Sequence, residues 1–211
     1  IHDLKQIPTL AMIAVGAKTA ESWHGKPQAM DFFDLKGEVE ELLAAGRVQV
    51  EYVRSERSWL HPGQSAEILV NGQSIGYLGR LHPSLENELD LGTTWVAELD
   101  QQAVLQTYVS NFTELSRFPS VRRDIALLIS DKINVSEIQQ LIEQTGGELL
   151  HSTWLFDVYT GQGVEAGKRS LAFALLWQHP TRTLEDAEIK SGMDNILKVL
   201  ENTYQATLRA S

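Results

Sequence analysis

The 211 residues contain no cysteine, which removes disulfides, thiolate zinc sites, iron–sulfur clusters and cysteine nucleophiles together. With them goes the usual staple of a small secreted domain. No apolar run approaches the roughly 18 residues that a membrane-spanning helix needs; the longest, Thr9–Val15, is followed by Gly16 and Lys18. A membrane partner is therefore not expected, and a cytoplasmic location is. Internal repeats, low-complexity tracts and long like-charge blocks are also missing. Two glycine-rich matches fail on inspection. A phosphate loop of the GxxxxGK[ST] type would need glycine at Gln162 and Ser or Thr at Arg169. Gly161-x-Gly163-x-x-Ala166 fits a relaxed dinucleotide fingerprint, but a strand pattern follows where a helix N-terminus would have to face the pyrophosphate. No GxSxG, HExxH or paired His/carboxylate spacing occurs, so no catalytic residue and no metal ligand is nominated.

What is present is an ordinary core-forming composition, 43% hydrophobic, with a net charge of -10 that argues against broad, sequence-blind attraction to a phosphate backbone. Residues 1–116 hold 8 basic and 16 acidic side chains, residues 117–211 hold 10 and 12, so most of the acidity lies in the first half. Helical periodicity lapses around Asn111–Ser120 and a proline precedes a new strand pattern, which predicts two domains, 1–115 and 116–211. The chain opens at Ile1 without methionine or a signal pattern and reads as a fragment of a longer polypeptide.

In the first half, Leu35, Val39, Leu42 and Leu43 recur at helical spacing and stop before Gly46. Val48–Val53 alternates as a strand, and Ala66–Val70 joins Ser74–Leu78 through Asn71-Gly72, a tight-hairpin signal. A short helix after His82-Pro83 and a strand over Thr94–Leu99 complete an α+β pattern with an antiparallel sheet. His24, His61 and His82 lack ligand spacing and read as turn residues. Glu38, Glu40 and Glu41 read as a solvated helix face.

The second half can be drawn as a topology. Strand Asp124–Ile129 is followed by a helix with Asn134 and Glu137 as a capping-box-like start and Ile138, Leu141 and Ile142 as its stripe. Strand Leu150–Tyr159, a glycine-rich hairpin, strand Arg169–Trp177, a helix beginning after Thr183 and a last strand over Gln205–Arg209 give the order βαββαβ, the ferredoxin-like split motif. If Ile125/Leu127/Ile129, Trp154/Phe156/Val158 and Leu171/Phe173/Leu175 pack on the helices, alternation places Ala126, Leu155, Asp157, Tyr159, Ser170, Ala172 and Ala174 on the open face. Small residues there would let a flat group approach the backbone, Tyr159 could stack on it, and Asp157 could accept from a base edge. The same small residues would equally suit packing beneath another domain or subunit.

Four blocks of this half carry a resemblance: Arg117-Phe118-Pro119-Ser120-Val121-Arg122-Arg123-Asp124-Ile125-Ala126, Leu155-Phe156-Asp157-Val158-Tyr159-x-Gly161, Gly167-Lys168-Arg169-Ser170-Leu171-Ala172-Phe173 and Thr183-Leu184-x-Asp186-x-Glu188. They resemble the ferredoxin-fold anticodon-binding domain that ends the β subunit of bacterial phenylalanine–tRNA ligases. Upstream, Asp31-Phe32-Phe33-Asp34-Leu35-Lys36-Gly37, His61-Pro62-Gly63-Gln64 and Gly76-x-x-Gly79-x-Leu81-His82-Pro83 are similar to the catalytic-like module of that subunit, a class II synthetase-like fold. The resemblance implies an (αβ)2 aminoacyl-tRNA synthetase whose α subunit activates phenylalanine with ATP and Mg2+. It also implies an inactive scaffold module in the first half, where no gxGxGxxR motif is found. In the second half it implies a site for the anticodon stem-loop of phenylalanine tRNA that reads chiefly the first anticodon base, a guanine, with no role toward DNA. By motif, the base contacts fall on Ala126, Asp157, Tyr159 and Ser170, with Arg123 as a phosphate or sugar contact or, equally, an ion-pair partner. The competing reading is a ferredoxin-like regulatory or protein-interaction module with no RNA role.

Overall fold

The computed structural model describes residues 6–23, 25–106 and 116–209. His24 and residues 107–115, where the expected domain junction falls, lie outside the described residues. The chain divides into two compact units, Ile1–Asn111 and Phe112–Ser211.

The first unit contains β1 (Thr9–Val15), α1 (Phe32–Ala44), β2 (Glu51–Arg54), β3 (Leu60–Val70), β4 (Gln73–Leu81), α2 (Pro83–Glu88), β5 (Thr94–Asp100) and α3 (Gln101–Val104). Its strands form one antiparallel sheet in the order β1-β5-β4-β3-β2. Helix α1 starts at a reciprocal cap: the Asp31 carboxylate accepts from the Phe33 and Asp34 N–H groups (2.8 and 2.9 Å), and Asp34 accepts from the Asp31 N–H at 3.0 Å. Leu35, Val39 and Leu43 recur on one face of that helix and are buried against Ile68, Leu78, Trp95 and Leu99. The hairpin forms where Asn71-Gly72 predicts it, both residues having positive φ (51° and 76°).

Three features of this unit differ from the sequence reading. Strand β1 was not assigned, because its continuous apolar run has no alternation, and it pairs along its whole length with β5. Strand β3 begins at Leu60, since a register irregularity between Leu60 and Ser65 lets the chain carry Pro62 and Gly63 through the sheet. The strand expected over Val48–Val53 is instead Glu51–Arg54. His61 and His82 close local turns, their Nδ1 atoms accepting from the N–H groups of Gly63 and Ser84. Glu38, Glu40 and Glu41 are exposed.

The second unit runs β6 (Val121–Ser130), α4 (Val135–Gly146), β7 (Leu150–Tyr159), β8 (Lys168–Trp177), α5 (Asp186–Tyr204) and β9 (Thr207–Leu208), with sheet order β7-β8-β6-β9. This is the expected βαββαβ architecture, and both units together make the chain α+β. Ile125, Leu127, Leu171, Phe173 and Leu175 from the sheet pack with Ile138, Ile142, Ile189, Ile196 and Leu200 from the two helices. The cap of α4 is not reciprocal: the Asn134 amide donates to the Glu137 carboxylate at 2.7 Å and caps no backbone group. Helix α5 begins at Asp186, where Glu188 accepts from the Glu185 N–H at 3.0 Å and pairs with Arg182 at 2.5 Å. Those bonds, the Arg182 side chain first, hold the Glu188 carboxyl down at about 2. The last strand is only Thr207–Leu208, because Gln205 turns left-handed (φ 54°) to end the helix.

Candidate nucleic-acid interface

Register decides which side chains share the open face of the second sheet. Strands β6, β8 and β7 set Asp124 beside Ala174 and Trp154, Ala126 beside Ala172 and Asp157, and Leu128 beside Ser170 and Tyr159. Antiparallel partners lie on one face, so four of the five sequence-nominated residues, Ala126, Asp157, Tyr159 and Ser170, fall on two adjacent rows of one surface.

The phase of β7 is not the simple alternation expected. One extra residue is accommodated between Leu155 and Asp157, the partners of Phe173 and Ala172. Before this bulge Leu155 points to the helices and packs on the core, while Trp154 faces outward. After it, Val158 takes the register of Leu171, and Asp157 and Tyr159 face outward. The expectation that Trp154, Phe156 and Val158 are core and Leu155 open is thus corrected: Trp154 is 38% exposed, Phe156 49% and Val158 51%, the last although its register places it on the helix side. The Trp154 and Phe156 rings are covered by the Arg122 guanidinium, 5.3 and 5.2 Å from the two centroids. Arg122 in turn donates twice to Asp124, at 2.7 and 3.1 Å, a contact that raises its pKa further.

Arg123 does not join the other four. It sits opposite Leu175, on the side that carries the helices, and reaches Asp186 at the start of α5 at 3.6 Å. Ser170 is on the open face by register but only 4% exposed. The accessible floor is instead Ala126 and Ala172, which with Asp124, Phe156, Leu208 and Arg209 line a hollow of about 480 Å3. Tyr159 stands at the next row, its hydroxyl donating to the Gln162 carbonyl at 3.2 Å. A Cβ at Gly161 would lie 2.7 Å from that hydroxyl oxygen, so glycine is needed there to back the ring. Over the ring, 4.6 Å from its centroid, lies the Arg209 guanidinium. Neither Phe156 nor Arg209 was nominated from the sequence, Phe156 because it was assigned to the core and Arg209 because, although the last strand is expected to reach it, its contact with the Tyr159 ring has no sequence signal.

The first unit has a larger hollow, about 900 Å3, bordered by Val15, Asp31, Phe33, Gln64, Arg80 and Trp95 among others. Its basic lining group, Arg80, is held by Glu86 through two bonds of 3.0 and 2.6 Å. Among the described residues no three His, Asp or Glu side chains gather in a way that could hold a metal ion. No described helix is long and apolar enough to cross a membrane.

Residues 116–209, which hold this four-stranded βαββαβ sheet and its hollowed open face, match the family described as the ferredoxin-fold anticodon binding domain. Residues 2–101 match the phenylalanyl tRNA synthetase beta chain CLM domain. The chain is 85% identical over its full length to a phenylalanine–tRNA ligase beta subunit from Acinetobacter baylyi. It is 43% identical over its full length to the one from Psychrobacter arcticus, and 42% identical over 99% of its length to the one from Bacillus subtilis. The chain spans 27% of the length of each of these relatives. It belongs to the phenylalanine–tRNA ligase beta-subunit family.

Proposed function

We propose that the chain contributes anticodon recognition and subunit scaffolding to a phenylalanine–tRNA ligase, with 116–211 as the RNA-binding domain and 1–115 as a non-catalytic synthetase-like module. The observation that carries this reading is the pair of adjacent rows Ala126–Ala172–Asp157 and Leu128–Ser170–Tyr159 on one solvent-facing sheet surface. On this reading the first anticodon base, a guanine, stacks on Tyr159 and presents its N–H edge to the Asp157 carboxylate. Ala126 allows close approach, and Ser170 supplies a hydroxyl once the surface opens. Arg123, on the opposite side of the sheet, acts through its ion pair with Asp186 and takes no part in the base site. The partner is an α subunit in an (αβ)2 assembly, and the complete enzyme joins phenylalanine to its tRNA with ATP and Mg2+ in the cytoplasm. The larger hollow of the first unit does not suit those cofactors, since Arg80 is tied to Glu86 and no metal-holding group of acids lies among the described residues.

The test is binding of the 211-residue chain to a labelled anticodon stem-loop of phenylalanine tRNA, against the same loop with adenine for its first anticodon guanine. At about 50 mM salt, to favour charge contacts, the chain is expected to prefer the guanine loop. Tyr159→Ala is expected to weaken that binding about 10- to 100-fold, the worth of one stacked base, and to abolish the preference. A folded chain that binds neither loop, or both equally, would overturn the reading and leave the face to a protein partner.

A further inference from the structure

Three basic side chains fall on the open face by register or contact: Arg122, Lys168 and Arg209. Arg122 is neutralised by Asp124, and Lys168 by Glu165 at 2.8 Å. Arg209 has no carboxylate within ion-pair distance among the described residues, and its guanidinium rests on the Tyr159 ring. The backbone beneath it is fixed, because the Arg209 N–H donates to the Ala126 carbonyl at 2.9 Å. The cation is therefore anchored at its root, bordering the hollow floored by Ala126 and Ala172, and held at its tip only by a π face.

That tip contact is the kind a charged ligand displaces. A guanidinium over a solvent-accessible ring is held more weakly than one making charge-assisted hydrogen bonds to an anion. A base can stack on the face of Tyr159 that the guanidinium covers only after the guanidinium has left it. A single-stranded nucleotide supplies both requirements, a flat base for the ring and hollow and a phosphate for the released cation. A partner protein offering a lone carboxylate would satisfy the cation alone.

We infer that Arg209 is a phosphate-binding residue of this face, exchanging the Tyr159 ring for the backbone phosphate of the nucleotide whose base enters the hollow. This rests on the anticodon-loop reading and adds the charged anchor that the four nominated residues lack.

The experiment uses the 211-residue chain, its Arg209→Ala and Arg209→Lys variants, and the two labelled stem-loops across a salt series. Arg209→Ala is expected to weaken guanine-loop binding about 10-fold at low salt. It should also flatten the plot of log affinity against log salt by about 0.7, the value for one phosphate neutralised on a single strand. Arg209→Lys keeps the slope, because it keeps a point charge, and all three proteins keep the guanine preference. An unchanged slope in Arg209→Ala overturns the inference, as does equal loss of slope in Arg209→Lys, which marks a planar, structural role. If the wild-type chain shows no guanine preference while Arg209→Ala still loses slope, the base-reading proposal falls and the phosphate contact stands. If the wild-type chain binds neither loop, both fall.

Discussion

Replacing Arg80 with alanine is expected to lower the unfolding free energy by about 3 kcal/mol at neutral pH, the range for stranding a buried carboxylate. Glu86 is only 4% exposed and accepts two bonds from the Arg80 guanidinium and one from the Thr94 N–H at 2.9 Å. The guanidinium, followed by the Thr94 N–H, holds the Glu86 carboxyl below its ordinary 4.5 against an opposing push from burial. A folded-state pKa below the unfolded one makes this contribution fully present above 4.5 and lost as the pH falls through the depressed value. Without the guanidinium, burial raises the Glu86 pKa, so the acid form is reached at higher pH and the deficit of Arg80→Ala shrinks on acidification. Urea unfolding of both proteins at neutral pH and near pH 4 measures this. A loss below 1 kcal/mol, or one that does not change with pH, would mean that water replaces the guanidinium without cost.

The second large effect is expected at Gly192, where alanine should destabilise the second unit by about 2 kcal/mol, as overpacking does in a filled core. In an exposed helix interior the same change would stabilise by close to 1 kcal/mol, so the sign itself is diagnostic. A Cβ on Gly192 would stand 2.4 Å from Cη2 and 2.6 Å from Cζ3 of Trp177. That indole is 1% exposed and belongs to the core, with its Nε1 lacking a partner, so it has little room to withdraw. Trimming the ring should remove the conflict: Gly192→Ala is expected to cost less in a Trp177→Leu background than in the wild type, a coupling read by a double-mutant cycle of melting temperatures. Equal costs in the two backgrounds would show that α5 moves and not the ring.

Much of the second unit was legible because its signals are local and redundant. The stripe of Ile189, Ile196 and Leu200, the alternation of Leu171, Phe173 and Leu175, and the glycine-rich hairpin each permit one local structure, and together they permit one topology. Strand β7 was legible in extent but not in phase. Hydrophobicity alone assigns Trp154 and Phe156 inward, whereas Thr153 and Leu155 take the inner positions and the two rings are sheltered on the outer face by Arg122. A cation covering an aromatic surface leaves no periodic trace. Nor does the contact of Arg209: the last strand is legible over Gln205–Arg209, but nothing in its residues tells that the guanidinium rests on Tyr159 beside Ala126. In the first unit the missed strand β1 has an edge position in the sheet, with Ile13 70% exposed, and its composition did not distinguish strand from buried helix.

The extra residue in β7 has a consequence for how this chain tolerates changes of length. Before Phe156, Thr153 and Leu155 meet the core while Trp154 meets water; after it, Asp157 and Tyr159 lie on the open face and Val158, still 51% exposed, takes the register of the inward-facing Leu171, so parity reverses within a single strand. A substitution in this stretch alters one side chain. An inserted residue between Asp157 and Tyr159 would do something different in kind, rotating the tyrosine toward the helices while leaving the aspartate in place, and so separating the two groups proposed to read one base. Relatives that keep this function would be expected to vary freely in the hairpin after Gly161 and to conserve spacing, more strictly than identity, between Trp154 and Tyr159.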